Sequence, residues 1–149
     1  MFQGSSSLSL DDKGRMVVPT RQRDALLQAG DGHLILTVHP HRCLLLYPRL
    51  AWEPIRDQIL AAPDFHPRSA AAKRVLVGNA READPDAAGR ILIPPELREQ
   101  AELEKQVWFV GVGSHYEIWS DAGWRRQHET AVDALAGSEM PPGFEGISL

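Results

Sequence analysis

Two short blocks of the sequence carry residue types and a spacing that could bind an anion. In each block an aspartate is followed three residues later by a glycine and four residues later by an arginine. Glycine permits a tight turn, because it adopts positive φ without strain. An arginine held on such a turn can offer its two-pronged donor fork to a phosphate or a guanine edge. The residues are Asp11, Gly14 and Arg15 in the first block and Asp86, Gly89 and Arg90 in the second.

The same residues also have a purely structural interpretation. A carboxylate can accept hydrogen bonds from the N–H groups of its own turn, and it can pair with the arginine. The glycine then sets the backbone, and Pro19 or Pro94 ends the strand that follows. Either interpretation predicts that the aspartates and glycines shape the two turns. For the arginines, contact with a polyanion and a structural ion pair both stay open.

Basic side chains are denser around the first block. Lysine and arginine occupy four positions within 11 residues there, namely Lys13, Arg15, Arg21 and Arg23. At the second block Ala88 stands where the first has Lys13, and Glu96 stands where the first has Arg21. Arg90 and Arg98 remain. The first block is therefore the stronger candidate for binding a polyanion.

The overall charge hides the same asymmetry. The chain has 149 residues, a net charge of −4 and a pI near 5.8, whereas nucleic-acid-binding domains are usually basic. Residues 1–74 contain 10 Lys and Arg against 7 Asp and Glu, and residues 75–149 contain 6 against 13. A polyanionic partner should therefore prefer the first half.

The two turns belong to a longer internal repeat. The string DDKGRMVVP at Asp11–Pro19 recurs as DAAGRILIP at Asp86–Pro94, an offset of 75 residues. Each copy predicts a turn, a short strand, a short helix, a pair of strands and a further helix. The short strands are expected at Met16–Val18 and Ile91–Ile93, and the strand pairs at His33–His39 with Cys43–Tyr47 and at Gln106–Gly111 with Tyr116–Trp119.

This repeat predicts one intertwined unit rather than two separate ones. The short strands of one copy cannot close a good core alone, whereas two interleaved copies can close a small barrel and remove exposed sheet edges. We therefore expect a β-rich α+β fold, a pseudo-two-fold barrel with short flanking helices. The expected parts are a first repeat at 1–62, a connecting helix at 63–79, a second repeat at 80–136 and an irregular tail at 137–149.

The sequence contains little that would support a membrane protein, a secreted protein or an enzyme. Apolar runs are much shorter than the roughly 18 residues of a membrane span, and the start of the chain does not resemble a secretory signal. A single cysteine, Cys43, suits a reducing cytoplasm. The serine-hydrolase, zinc-protease, P-loop and dinucleotide motifs are absent. We expect no enzymatic activity, no cofactor, no small-molecule substrate and no membrane partner.

Two clusters deserve an alternative interpretation. His39, His41 and Cys43 alternate as zinc ligands on one strand would, but Pro40 interrupts them and a fourth ligand is not evident. We expect turn and core roles and no metal site. Glu82, Asp84 and Asp86 alternate, a spacing that also suits the paired carboxylates of a hydrolase, but a strand end entering a turn explains them better.

The repeated blocks resemble the MraZ family. The resemblance rests on LDDKGRMVVPTRQR near the start, CLLLYPRLAWE in the middle and GNAREADPDAAGRILIP later, and it covers nearly the whole chain. It implies two AbrB-like swapped-hairpin units fused in one chain. It also implies a bacterial transcription factor that binds short direct repeats in the promoter of the division and cell-wall gene cluster and assembles into rings.

The sequence and the resemblance together predict a sequence-specific, homo-oligomeric transcriptional regulator that binds double-stranded DNA at the nucleoid. We expect DNA contacts from Lys13, Arg15 and Arg21, with support from Arg23 and Arg90. The alternative is an oligomeric protein-interaction module whose turns bind an acidic partner or serve assembly, without direct contact to DNA.

Overall fold

The fold is that of a computed structural model, which describes residues 1–137 and 139–148. These residues form a mixed, sheet-rich α+β structure, as the sequence predicts. The strands are β1 (Phe2–Ser9), β2 (Arg15–Val17), β3 (Leu34–His39), β4 (Cys43–Pro48), β5 (Arg81–Glu82), β6 (Arg90–Leu92), β7 (Gln106–Gly113) and β8 (Tyr116–Ser120). The helices are α1 (Thr20–Ala29), α2 (Arg49–Ala61), α3 (Pro67–Ala72), α4 (Pro95–Gln100) and α5 (Asp121–Leu135), and α3 continues into a π-helical turn at Lys73–Val77.

Several hydrogen-bonded strand pairs join one repeat to the other. Six strands form one antiparallel sheet in the order β1-β7-β8-β4-β3-β5, and β2 pairs with β6 in a separate two-stranded ribbon. The first strand of each repeat therefore pairs with the third strand of the other, as β1 with β7 and β5 with β3. Because these strands are exchanged, neither repeat completes its own sheet.

The sheet is open, which differs from the closed barrel expected from the repeat. Its edges are β1 and β5. β5 has only two residues and pairs with only Ile35 and Leu36 of β3, while β2 and β6 pair with each other in a separate ribbon. The edges of the larger sheet therefore do not meet. The sequence pattern also predicted no strand at Phe2–Ser9, the whole of β1.

Apolar side chains cover both faces of the sheet. On one face the ribbon and the residue after each of its strands contribute four side chains with no exposed surface, Met16, Val18, Ile91 and Ile93. The opposite face packs against α2 and α5 in a second cluster formed by Cys43, Leu45, Tyr47, Trp52, Val110 and Trp119. The ribbon is therefore fixed to the sheet through its inner face, while its outer face stays open.

The cluster of His39, His41 and Cys43 does not converge on a common point. Cys43 is fully buried in the second apolar cluster, and burial raises the pKa of its thiol far above the usual range. His41 is exposed and His39 half-buried. In the residues that the structure describes, no group of three or more His, Cys, Asp and Glu side chains is arranged to hold a metal ion.

Within the described part of the chain, none of the helices has the length and apolar character needed to cross a bilayer.

Two partly buried histidines should make the stability of the fold depend on pH. Burial lowers the pKa of His39 and of His115, whose ring stacks on Tyr47 at 4.3 Å between centroids. The unfolded chain has the ordinary value of about 6.5 and takes up protons first as the pH falls. The stabilising contribution is therefore complete above about pH 6.5 and is lost below it.

The urea concentration at the midpoint of unfolding should fall between pH 7 and pH 5.5, and it should fall less in His115→Gln than in the wild type. An equal slope in both proteins would contradict this assignment.

Candidate nucleic-acid interface

The first turn is organised by a single carboxylate. Asp11 Oδ1 accepts hydrogen bonds from the backbone N–H of Lys13 at 2.9 Å and of Arg15 at 2.8 Å. Asp11 Oδ2 accepts one from Arg15 Nε at 2.7 Å. The turn closes with Gly14 N–H donating to the Asp11 carbonyl at 3.0 Å, and Gly14 has a φ of +80°.

The second turn repeats these hydrogen bonds atom for atom. Asp86 Oδ1 accepts from the N–H of Ala88 and of Arg90, both at 2.9 Å, and Asp86 Oδ2 accepts from Arg90 Nε at 2.9 Å. Gly89 has a φ of +77°. The repeat in the sequence is therefore also a repeat in local geometry.

The carboxylates orient the guanidinium groups without enclosing them. Among the described residues, the hydrogen bonds of the Arg15 and Arg90 side chains engage only Nε, so both Nη groups remain available. The side chains keep 27% and 35% of their surface exposed. Because two donors in one plane match a guanine edge or two phosphate oxygens, this is the end of arginine suited to such a ligand.

Both aspartates are held in their charged form. The backbone N–H of Arg15 contributes most to lowering the pKa of Asp11, and the Arg15 guanidinium adds to this effect against an opposing contribution from burial. The backbone N–H and the guanidinium of Arg90 lower the pKa of Asp86 in the same way. The turns therefore keep their geometry at neutral pH.

The ribbon brings the two arginines to one surface. In the β2–β6 ladder Arg15 pairs with Leu92, Met16 with Ile91 and Val17 with Arg90. Met16 and Ile91 point inward and are fully buried. Because side chains alternate along a strand, the four flanking residues share the outer face. This outer face of the ribbon consists of Arg15, Val17, Arg90 and Leu92.

Two further arginines, one in each repeat, pack against the turn of the other repeat and brace it. Arg23 of α1 donates from Nη1 to the Val18 carbonyl at 3.0 Å and packs over Gly89. Arg98 of α4 donates from Nε to the Ile93 carbonyl at 2.9 Å and packs over Gly14. Each turn is thus held by a side chain of the other repeat.

The sequence did not predict this bracing. Arg23 was expected only as a supporting DNA contact, and no role was predicted for Arg98, which lies 75 residues after it at the equivalent position of the second repeat. The recurrence of an arginine at equivalent positions of both copies was the available signal. The pairing across repeats could not be read from the sequence, because it depends on how the repeats interleave.

The remaining candidate residues surround the first turn. Lys13 lies in the turn itself and is exposed, and Arg21 is exposed in the first turn of α1. Near the second turn Glu96 is exposed and lies 3.9 Å from Arg81, measured from Oε2 to Nη1. The basic surface is therefore unequal at the two turns.

The alternating carboxylates do not form a paired acid site. Asp84 accepts a hydrogen bond from the Leu34 N–H at 2.9 Å and lies 2.8 Å from His33 Nδ1. Asp86 is committed to its turn, and Glu82 is exposed on β5. Each of the three therefore has a different environment.

The fold and this site define a class: a duplicated, sheet-rich α+β protein whose interleaved repeats display paired arginine-bearing turns on one ribbon. Comparison with known proteins gives the family. The family model described as "MraZ protein, putative antitoxin-like" matches residues 1–75 and 76–138, and the chain belongs to the MraZ family.

Curated relatives match the chain over its full length and their own. Proteins named "Transcriptional regulator MraZ" are 61% identical in Dechloromonas aromatica, 58% in Aromatoleum aromaticum and 53% in an Azoarcus species, each over 149 residues and 100% of both chains. These names support a role in the regulation of transcription.

Substituting the turn glycines should test the bracing. A methyl group at Gly14 would lie 2.6 Å from Cζ of Arg98, whereas one at Gly32, which also has a positive φ, meets nothing within 4 Å. Gly32→Ala should cost about 1–2 kcal/mol of unfolding free energy for the left-handed backbone alone. Gly14→Ala should cost about 0.5–1.5 kcal/mol more, because the flexible Arg98 side chain must move and would lose its hydrogen bond to the Ile93 carbonyl.

A double-mutant cycle in urea with Arg98→Ala measures this coupling. We expect the excess cost of Gly14→Ala to disappear when Arg98 is truncated. Equal costs for Gly14→Ala and Gly32→Ala would show that Arg98 does not brace the turn.

Proposed function

We propose that the chain is a sequence-specific DNA-binding regulator of transcription that acts on promoter repeats of the division and cell-wall gene cluster. The observation that carries the proposal is the display of Arg15 and Arg90 on one ribbon with their Nη groups unengaged among the described residues. The regulatory names of the relatives support the same role, which is not enzymatic.

The dimensions of the ribbon suit the major groove. That groove is about 12 Å wide and admits a two-stranded β-ribbon, and the strands of such a ribbon lie about 4.8 Å apart. The inner face is fixed to the sheet through Met16 and Ile91, so the outer face can enter the groove without rearrangement. Arg15 and Arg90 then reach base edges.

The other basic residues divide by position. Lys13 and Arg21 are exposed beside the first turn and are proposed to contact phosphates. Arg23 is proposed to support the interface indirectly, because it packs against Gly89 and so stabilises the second turn. Asp11 and Asp86 aim the arginines through the hydrogen bonds of the turns.

The proposed architecture is that of two AbrB-like hairpin units, 1–62 and 80–136, joined by the segment 63–79. The exchange of strands between the repeats supports it. Residues 137–149 form the proposed irregular tail, of which Ser138 and Leu149 lie outside the described residues.

A homo-oligomer, proposed to be a ring, explains how a chain with an acidic net charge can bind DNA. One chain has a net charge of −4 and few basic residues at the interface. Several copies that present the same ribbon to successive DNA repeats multiply the effective affinity without any new contact. β1 has eight residues and lies at the edge of the sheet, where it pairs with β7 on one side. The backbone groups on its other side can pair with a strand of another chain. Such a regulator would act at the nucleoid.

Removing one guanidinium tests the assignment. Arg15→Ala should weaken binding to DNA upstream of the protein's own gene by about 5- to 150-fold per contact, the range of a good bidentate base contact, and should relax specificity. Fluorescence anisotropy measures the affinity, and light scattering measures the assembly.

The control is Arg126→Ala on α5, which removes an equally charged side chain that is 70% exposed. It should bind as the wild type does. If Arg15→Ala disrupts assembly but retains DNA binding, the alternative of a protein-interaction module is favoured instead.

A salt titration separates phosphate contacts from base contacts. If the assembly neutralises roughly 6–10 phosphates, its affinity should fall about 10³–10⁵-fold between 50 and 200 mM salt. Lys13→Ala should weaken binding uniformly across sequences and lower the salt slope by about one for each contact. A wild-type affinity that does not depend on salt would contradict the proposal.

A further inference from the structure

The outer face of the ribbon contains an unexplained apolar pair. Val17 is 52% exposed and Leu92 is 53% exposed. The ladder puts Val17 opposite Arg90 and Leu92 opposite Arg15. Each apolar side chain thus has an arginine across from it on the neighbouring strand and another arginine two positions away on its own strand.

This arrangement is unusual for a surface that only attracts phosphates. A lysine or a threonine at these positions would add charge or hydrogen bonds at little cost to the fold, since neither side chain belongs to the two buried clusters. Two apolar side chains that each lie beside two arginines are instead complementary to a ligand in which apolar groups lie next to hydrogen-bond acceptors and negative charges.

The major groove of DNA presents that combination. Guanine offers its O6 and N7 acceptors, and thymine offers the C5-methyl group as an apolar contact. Phosphates on both sides supply the negative charge. A surface of two arginines and two aliphatic side chains is complementary to guanines with neighbouring thymines.

The spacing of the four side chains limits how far apart those bases can lie. Paired residues are about 4.8 Å apart across the ribbon, and residues two apart along a strand are separated by about 6.7 Å. Base pairs rise by about 3.4 Å. The outer face of the ribbon therefore covers about two or three base-pair steps, so each thymine must lie beside or near a contacted guanine.

We propose that Val17 and Leu92 determine specificity by contacting the C5-methyl groups of thymines next to the guanines read by Arg15 and Arg90. This inference rests on the proposed function of the ribbon. The two side chains lie at diagonally opposite corners of the outer face, so they contact different base pairs.

Replacing thymine by deoxyuridine tests the inference, because it removes only the methyl group. The probe is the footprinted DNA upstream of the gene, with one thymine of the protected site replaced at a time, and the readout is anisotropy with the full-length protein. Each thymine that is read should cost about four-fold in affinity, the effect expected for one buried methyl group. Replacing a contacted thymine by 5-methylcytosine, with guanine opposite, should retain more affinity than replacing it by cytosine.

Variants assign each methyl group to a side chain. Val17→Ala should abolish the deoxyuridine effect at one thymine and Leu92→Ala at another, while the salt slope stays unchanged. Leu60→Ala on α2, a residue that is 47% exposed, is the matched control and should keep the wild-type pattern. Thermal melting verifies that the variants fold.

The possible outcomes separate this inference from the proposed function. If the wild type does not bind the DNA, or binds it independently of Arg15, the proposed function fails. If binding requires Arg15 but is indifferent to deoxyuridine at every thymine, only the present inference is overturned. If Val17→Ala and Leu92→Ala dissociate the assembly in light scattering, the apolar pair is an interface between copies of the chain, and the inference is again overturned.

Discussion

The antiparallel pairing of Arg15–Val17 with Arg90–Leu92 is the interaction on which the rest of the structure depends. It joins the two repeats directly, and its inner side chains, Met16 and Ile91, enter the main apolar cluster without exposed surface. The same ladder turns the arginines outward. Burial of one face and display of the other are thus two consequences of a single strand register, because a shift by one residue would exchange the faces.

Local chemistry made the turns predictable from the sequence. An aspartate followed by glycine and arginine at fixed spacing leaves few conformations open, and Asp11 and Asp86 adopt the same hydrogen bonds. The strand pairs of each repeat were also predictable, because apolar residues cluster in short runs between turn signals. The expected strand at His33–His39 and the observed Leu34–His39 differ by one residue.

Other features depend on distant parts of the chain and were not predictable in this way. The serine-rich segment Phe2–Ser9 becomes a strand because its backbone pairs with β7, although its own side chains give little indication of it. The open edges of the sheet follow from the short length of β5. The bracing of Gly14 by Arg98 arises only when two helices from different repeats pack beside the ribbon.

Fusion of the interleaved repeats in one polypeptide has a consequence for orientation. Two identical hairpins in a homodimer would be obliged to present equal halves. In one chain the two halves can diverge in sequence and still always pair one to one. Here the second repeat has Ala88 and Glu96 where the first has Lys13 and Arg21. The two ends of the shared ribbon are consequently unlike, so the two directions in which a polar ligand could lie along it are no longer equivalent.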